Sequence, residues 1–93
     1  MQDWQIRFRH FIQSHEATVL FRKVDGSLRT LQCTLNPFVV PPVTSQRPGR
    51  TPNNDVCVVW DVVQDDWRAF RWDSVVKVEL VHDTYVETYT INP

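Results

Sequence analysis

The sequence is short of nearly everything that would declare a chemistry. Glycine occurs only at Gly26 and Gly49 in 93 residues, so no glycine-rich loop is present to cradle a phosphate chain. Cys33 and Cys57 stand in neither a CxxC nor a Cys/His spacing, which excludes the common structural zinc sites. His10, His15 and His82 share no metal-ligand spacing either. Ser14, Ser27, Ser45 and Ser74 lack a nucleophile-elbow context. Asp61, Asp65, Asp66 and Asp73 read as strand ends and turn residues, not as a catalytic carboxylate pair. No apolar run is long enough for a membrane helix, and the polar N-terminus does not read as a secretory signal. A soluble, cytoplasmic protein is the expectation. The net charge of −1 excludes a uniformly cationic surface but is compatible with a local basic patch.

What is present is the material of one small β-rich domain. Apolar residues make up 42% and charged residues 23% of the chain, as in ordinary globular proteins. Valine, threonine and aromatic residues, which favour strands, are abundant. Residues 3–14, DWQIRFRHFIQS, place Trp4, Phe8, Phe11 and Ile12 at helical spacing, with Ile6 off the stripe. They predict a short amphipathic helix, with Asp3 at its positive end. Residues 16–24, EATVLFRKV, predict a strand entering a two-residue hairpin turn at Asp25-Gly26. In SLRTLQCTL, Arg29, Leu31, Cys33 and Leu35 share one parity and Leu28, Thr30, Gln32 and Thr34 the other. One face is apolar and the other polar, as a half-buried strand requires.

The pattern then stops. Residues 36–54 hold five of the six prolines and no acidic residue, so they predict a loop. Strand character returns in DVCVVWDVV, in WRAFRW after the polar Gln64-Asp65-Asp66 turn, and in VVKVELV after Asp73-Ser74. The end, HDTYVETYTINP, reads as an edge strand, a strand added to a neighbouring subunit, or an ordered tail. The architecture expected is mainly β: a five-stranded, partly open SH3-like or Sm-like barrel, its strongly bent sheet wrapped around one core, behind a short N-terminal helix. The helix occupies residues 1–15, the barrel 16–82 with its proline-rich loop at 36–54, and the tail or edge strand 83–93. Cys33 and Cys57, each inside an apolar strand, read as buried reduced thiols, with a disulfide between facing strands left open.

The stretch WRAFRWDSVVKVEL resembles the closing strand pair of WYL domains. There an arginine, a phenylalanine and a second arginine precede a short turn and a final apolar strand. Upstream, FRKVDGSLRTLQCTLNP and VCVVWDVVQDDWRAFRWDSV look like the small Sm-like relatives of WYL domains encoded by tailed bacteriophages. The resemblance spans roughly residues 16–81. The Trp-Tyr-Leu tripeptide is absent, its nearest counterpart being VVWDVV around Trp60. No helix-turn-helix region precedes the barrel, so a conventional WYL transcription regulator is not expected. The resemblance implies binding of nucleic acids or nucleotides through basic and aromatic residues. Carried onto this chain, the matching positions are Arg68 and Arg71, with Arg22, Lys23 and Arg29 on the first hairpin.

The residues alone leave two readings of these cations open. Phe70 and Trp72 can form a core-facing arm flanked by arginines that cover apolar surface with their stems. Alternatively, at least one guanidinium grips phosphate, which its planar fork of donors suits. Arg22 and Arg29 are expected near each other across the hairpin, with Asp25 or a bound anion to offset them. Arg47 and Arg50 in the proline loop are candidate phosphate contacts; the loop can equally be a plain surface loop or dock its PFVVPP stretch in a protein groove. Trp60, Trp67, Phe70 and Trp72 are candidates for support or stacking. The expectation is a non-enzymatic phage accessory protein that needs no cofactor or metal. It would bind single-stranded nucleic acid or a nucleotide. The competing class is a protein-interaction module acting on a host enzyme or defence system, with a homo-oligomer as a further outcome.

Overall fold

A computed structural model of the chain describes residues 2–41 and 55–91. Helix α1 (Asp3–Phe11) is followed by β1 (Ala17–Arg22), β2 (Leu28–Thr34), β3 (Val56–Asp61), β4 (Asp66–Arg71) and a 3-10 turn (Trp72–Ser74). The chain ends in β5 (Val75–Val81) and β6 (Val86–Thr90). The strands form one antiparallel sheet of six, in the order β4-β3-β2-β1-β5-β6. The five-stranded count is corrected: the C-terminal segment takes its edge-strand alternative and pairs along β5 as a sixth strand. The sheet is open, as no ladder joins β4 to β5 or β6.

The sheet nevertheless curls. β1 and β4 lie three strand spacings apart in the sheet order, about 14 Å if the sheet were flat. Yet the Phe21 and Phe70 rings stack at 5.8 Å. The narrow β2–β3 junction permits this, since only Cys33–Asp61 and Thr34–Trp60 are paired there. Beyond that point the β3–β4 hairpin folds back over β1.

Strand periodicity then explains the core. Ala17 and Val19, Leu31 and Cys33, Cys57 and Val59, Phe70, and Val75, Val78 and Leu80 are all buried. In β1 to β4 they alternate with exposed or half-buried neighbours, except at Thr34 beside Cys33. In β5 the alternation slips at a register shift opposite Leu20 and Phe21, which leaves Val76 as an extra residue that bends the strand. Helix α1 covers the core with Phe8, Phe11 and Ile12, while Trp4 is half-buried and Ile6 is exposed. At its start, Gln5 Oε1 accepts the Gln2 backbone N–H at 2.7 Å and Trp4 Nε1 donates to Gln2 Oε1 at 2.9 Å.

Thr34 departs from its predicted polar face and is fully buried. Its hydroxyl lies 3.1 Å from the Ile12 carbonyl and 2.8 Å from that of His15, and it accepts the Asn36 N–H. With the Leu35 N–H donating to Ile12 at 2.8 Å, it satisfies the carbonyls that a helix end leaves without partners. Cys33 and Cys57 are free thiols on core positions. Burial pushes the Cys57 thiol up to about 12 and moves Cys33 in the same direction.

A second link ties α1 to β6. Arg7 grips Glu87 with two hydrogen bonds, Nε to Oε2 at 3.2 Å and Nη2 to Oε1 at 2.9 Å. Tyr89 donates its hydroxyl to Oε2, and His82 Nε2 lies 3.0 Å from Oε1. The Arg7, Tyr89 and His82 contacts hold the Glu87 carboxyl at about 2, below its usual 4.5. A lowered carboxyl pKa stabilises the fold above the unfolded value and ceases to do so as pH falls towards the folded one. The Tm of the wild type is therefore expected to fall more steeply between about pH 4.5 and pH 2 than that of Glu87→Gln. Thermal melts by circular dichroism would show it, and parallel curves would remove this role from Glu87.

Candidate functional site

The first hairpin does not turn as the sequence predicts, and the difference rearranges the cations. Gly26 N–H donates to the Lys23 carbonyl and Lys23 N–H to the Ser27 carbonyl, with Gly26 at φ 91°. Asp25 has no positive φ, so the two-residue mirror turn, which needs both central residues there, is excluded. The loop is one residue longer, and the register moves by one. Arg22 faces Leu28 and Phe21 faces Arg29, so Arg22 and Arg29 lie on opposite faces of the sheet. Asp25 forms no ion pair with either arginine, though its charge and that of Lys23 attract. Its carboxylate accepts the Ser27 hydroxyl at 2.6 Å and the Ser27 N–H at 2.9 Å, contacts that lower its pKa.

The cations therefore sort into two groups. Arg29 and Arg68 converge on Asp61, at 3.8 and 3.9 Å, and Arg68 also meets Asp66 at 2.9 Å. Asp61 is only 3% exposed, because it shares the inward parity of Cys57 and Val59. Its Oδ1 accepts the N–H groups of Val63 and Gln64, both at 2.9 Å, which closes the turn into β4. Within that turn Asp65 adopts φ 53°. The sequence reading passed over Asp61 as a strand end. The signal available was its parity, since an aspartate two positions beyond two core residues requires partners.

The second group lines the seam left by the open sheet. Arg22 and Lys23 from the end of β1, Arg71 from β4 and Val76 from β5 surround a groove of about 710 Å³, with Val24, Val56 and Phe70 among its apolar walls. Arg71 is held by Asp73 through Nε at 3.2 Å and Nη2 at 3.3 Å, and this pairing raises its pKa. Arg22 donates to the Gly26 carbonyl at 3.1 Å. The Lys23 ammonium makes no hydrogen bond or ion pair with a described residue. Arg47 and Arg50 lie outside the described residues.

The aromatic candidates divide by parity in the same way. Phe70 and Trp72 are buried beneath α1, edge-on to Phe8. Trp60 and Trp67 pair across β3 and β4 on the outer face, edge-to-face at 5.4 Å. On that face the rungs run Val56–Arg71, Val58–Ala69 and Trp60–Trp67. The tryptophan pair therefore continues the groove wall about 13 Å along the hairpin.

Neither the groove nor the rest of the described residues gathers three histidine, cysteine or acidic side chains as metal donors. No helix among the described residues is long and apolar enough to cross a membrane. A curled antiparallel sheet with one capping helix and a seam at its open edge defines a small barrel-like domain. The comparison with known families gives it a place: the chain belongs to the WYL_2 family, described as an Sm-like SH3 β-barrel fold, whose model matches residues 7–76. No curated protein and no solved structure matches the chain.

Proposed function

We propose that this chain acts by binding and not by catalysis, and that its ligand is single-stranded nucleic acid or a nucleotide. The observation that carries the reading is the continuity of one face. Arg22, Lys23 and Arg71 stand at the mouth of the groove, and the Trp60–Trp67 pair stands further along the same hairpin. Guanidinium and ammonium groups at one end suit phosphate, and half-exposed indoles at the other suit a base. Arg29 and Arg68, already turned to Asp61, hold the hairpin in place and contribute less. A role as an accessory protein of a tailed bacteriophage, in the host cytoplasm, rests on the sequence resemblance alone.

Fluorescence anisotropy with labelled single-stranded RNA and DNA tests this reading. Three phosphate contacts on a single strand give a salt slope of about −2, hence about 20-fold weaker binding between 50 and 200 mM salt. The triple variant Arg22→Gln/Lys23→Gln/Arg71→Gln should lose most of both affinity and slope, while Arg29→Gln/Arg68→Gln should keep the slope. Absence of binding at low salt would sink the proposal. It would favour the second reading, a protein partner such as a host enzyme or defence factor. That reading draws on Phe38, which is 97% exposed beside the also exposed Val39 at the start of the proline-rich segment.

A further inference from the structure

The two edges of the open sheet are built differently. β4 presents Asp66, Arg68 and Arg71, and charges of this kind discourage strand addition. β6, with the sequence VETYT, has no lysine or proline to guard it, and its register with β5 is regular throughout.

The direction of its backbone groups follows from the ladder. His82 N–H donates to the Tyr85 carbonyl at 2.9 Å, and Ile91 N–H to the Val76 carbonyl at 2.8 Å. These flank the β5–β6 register, so the hydrogen-bonded pairs between them are Leu80–Glu87 and Val78–Tyr89. Val86, Thr88 and Thr90 therefore turn their N–H and C=O groups away from β5, towards the open edge. Their side chains are also exposed.

We propose that β6 pairs with β6 of a second copy of this chain, antiparallel about a two-fold axis through Thr88, and so joins two sheets into one. The strand is self-complementary in that register, as an isologous contact requires. Thr88 faces Thr88, Val86 faces Thr90, and Glu87 faces Tyr89. No like charges meet, and pairs of threonines and of β-branched residues stabilise a ladder. An axis through Glu87 would oppose two carboxylates at the closer, non-hydrogen-bonded spacing. On the outer face, Val81 and Val86 are neighbours across β5 and β6, both exposed. Thr90 of the second copy would extend that row. The contact leaves the groove and its cations untouched, so it stands or falls independently of the nucleic-acid reading.

Light scattering after size exclusion, across a dilution series, tests the contact. The wild type is expected at twice the 11.0 kDa of the chain. Thr88→Lys, which sets two ammonium groups face to face, is expected to halve that mass without changing the near-ultraviolet circular dichroism. Mixing Thr88→Lys with Thr88→Glu should restore the dimer. Thr88→Pro, which removes an outward N–H and no ladder bond to β5, should also give the monomer. A wild type that is monomeric at every concentration would overturn the proposal. So would a dimer that survives Thr88→Lys, or one broken by Ala69→Pro on the β4 edge while Thr88→Lys leaves it intact.

Discussion

Phe8→Ala is expected to lower the free energy of unfolding by about 3–5 kcal/mol, the range for removing a buried phenylalanine. Phe8 has no exposed surface and is where the helix meets the sheet. Its ring lies edge-on to Phe70 at 6.1 Å and to Trp72 at 5.9 Å. Trp72 is in turn 5.5 Å from both Phe70 and Trp4. Removing the central ring leaves a cavity against two large rings that cannot both move inward. Each lost edge-to-face pair also forfeits about 0.5–1.5 kcal/mol beyond the area it buries. A chain of this length has about 5–15 kcal/mol in total, so the variant stands near the limit of folding. Urea titration followed by tryptophan fluorescence measures the loss, because Trp72 borders the cavity and Trp4 packs on Trp72. Ile6→Ala, on the exposed side of the same helix, is expected to change stability by less than about 0.5 kcal/mol. Equal costs for the two would mean that α1 is not docked as described.

Asp61→Ala should produce the next largest loss, about 2–3 kcal/mol, because it removes the acceptor of two turn N–H groups and the shared partner of two guanidinium groups. The turn from β3 into β4 loses both bonds to Oδ1, and Arg29 and Arg68 are left without their common carboxylate. Asp61→Asn keeps an oxygen for the turn and loses only the charge. It should recover roughly half of the stability, as neutral hydrogen bonds are about half as strong as charge-assisted ones. For a domain of this size, each kcal/mol corresponds to about 4–8 °C in Tm, so thermal melts resolve the order wild type, Asn, Ala. If Asn and Ala melted together, the charge and not the turn would be the main contribution. Releasing Arg29 and Arg68 has a second consequence. The Asn variant would carry more uncompensated positive charge at the hairpin end, and nucleic-acid affinity at low salt should rise slightly through the long-range field if the groove on the other face binds phosphate.

The candidate site shows how far residue-by-residue reading reaches. Parity in WRAFRW separates Arg68 from Arg71, and the structure places them in different groups. The same parity separates Trp67 from Phe70 and Trp72, one facing outward and two in the core. The first hairpin was not legible to the same degree. Asp25-Gly26 announces a turn, but the choice between a two-residue loop and one a residue longer depends on which residues take positive φ. That choice moved Arg22 away from Arg29 and into the groove. The pairing of each arginine with a carboxylate was also hidden. Asp73 is two positions from Arg71 and could be foreseen, whereas Asp61 reaches Arg29 only because β2 and β3 meet at Cys33–Asp61.

The sequence by itself determined the helix, the strand segments and part of the core, including Phe8, Phe11, Leu31, Cys33 and Phe70. These follow from periods of 3.6 and 2 that a chain expresses over a few residues, whatever surrounds them. Only the tertiary structure decided that the C-terminal segment becomes a sixth strand and that the sheet curls without closing. The same holds for Thr34, buried to cap the helix, and for Asp61, which draws two cations together. Each of these depends on groups far apart in the chain meeting in space. A buried threonine or aspartate is tolerable only when such partners arrive, and local sequence carries no record of their arrival.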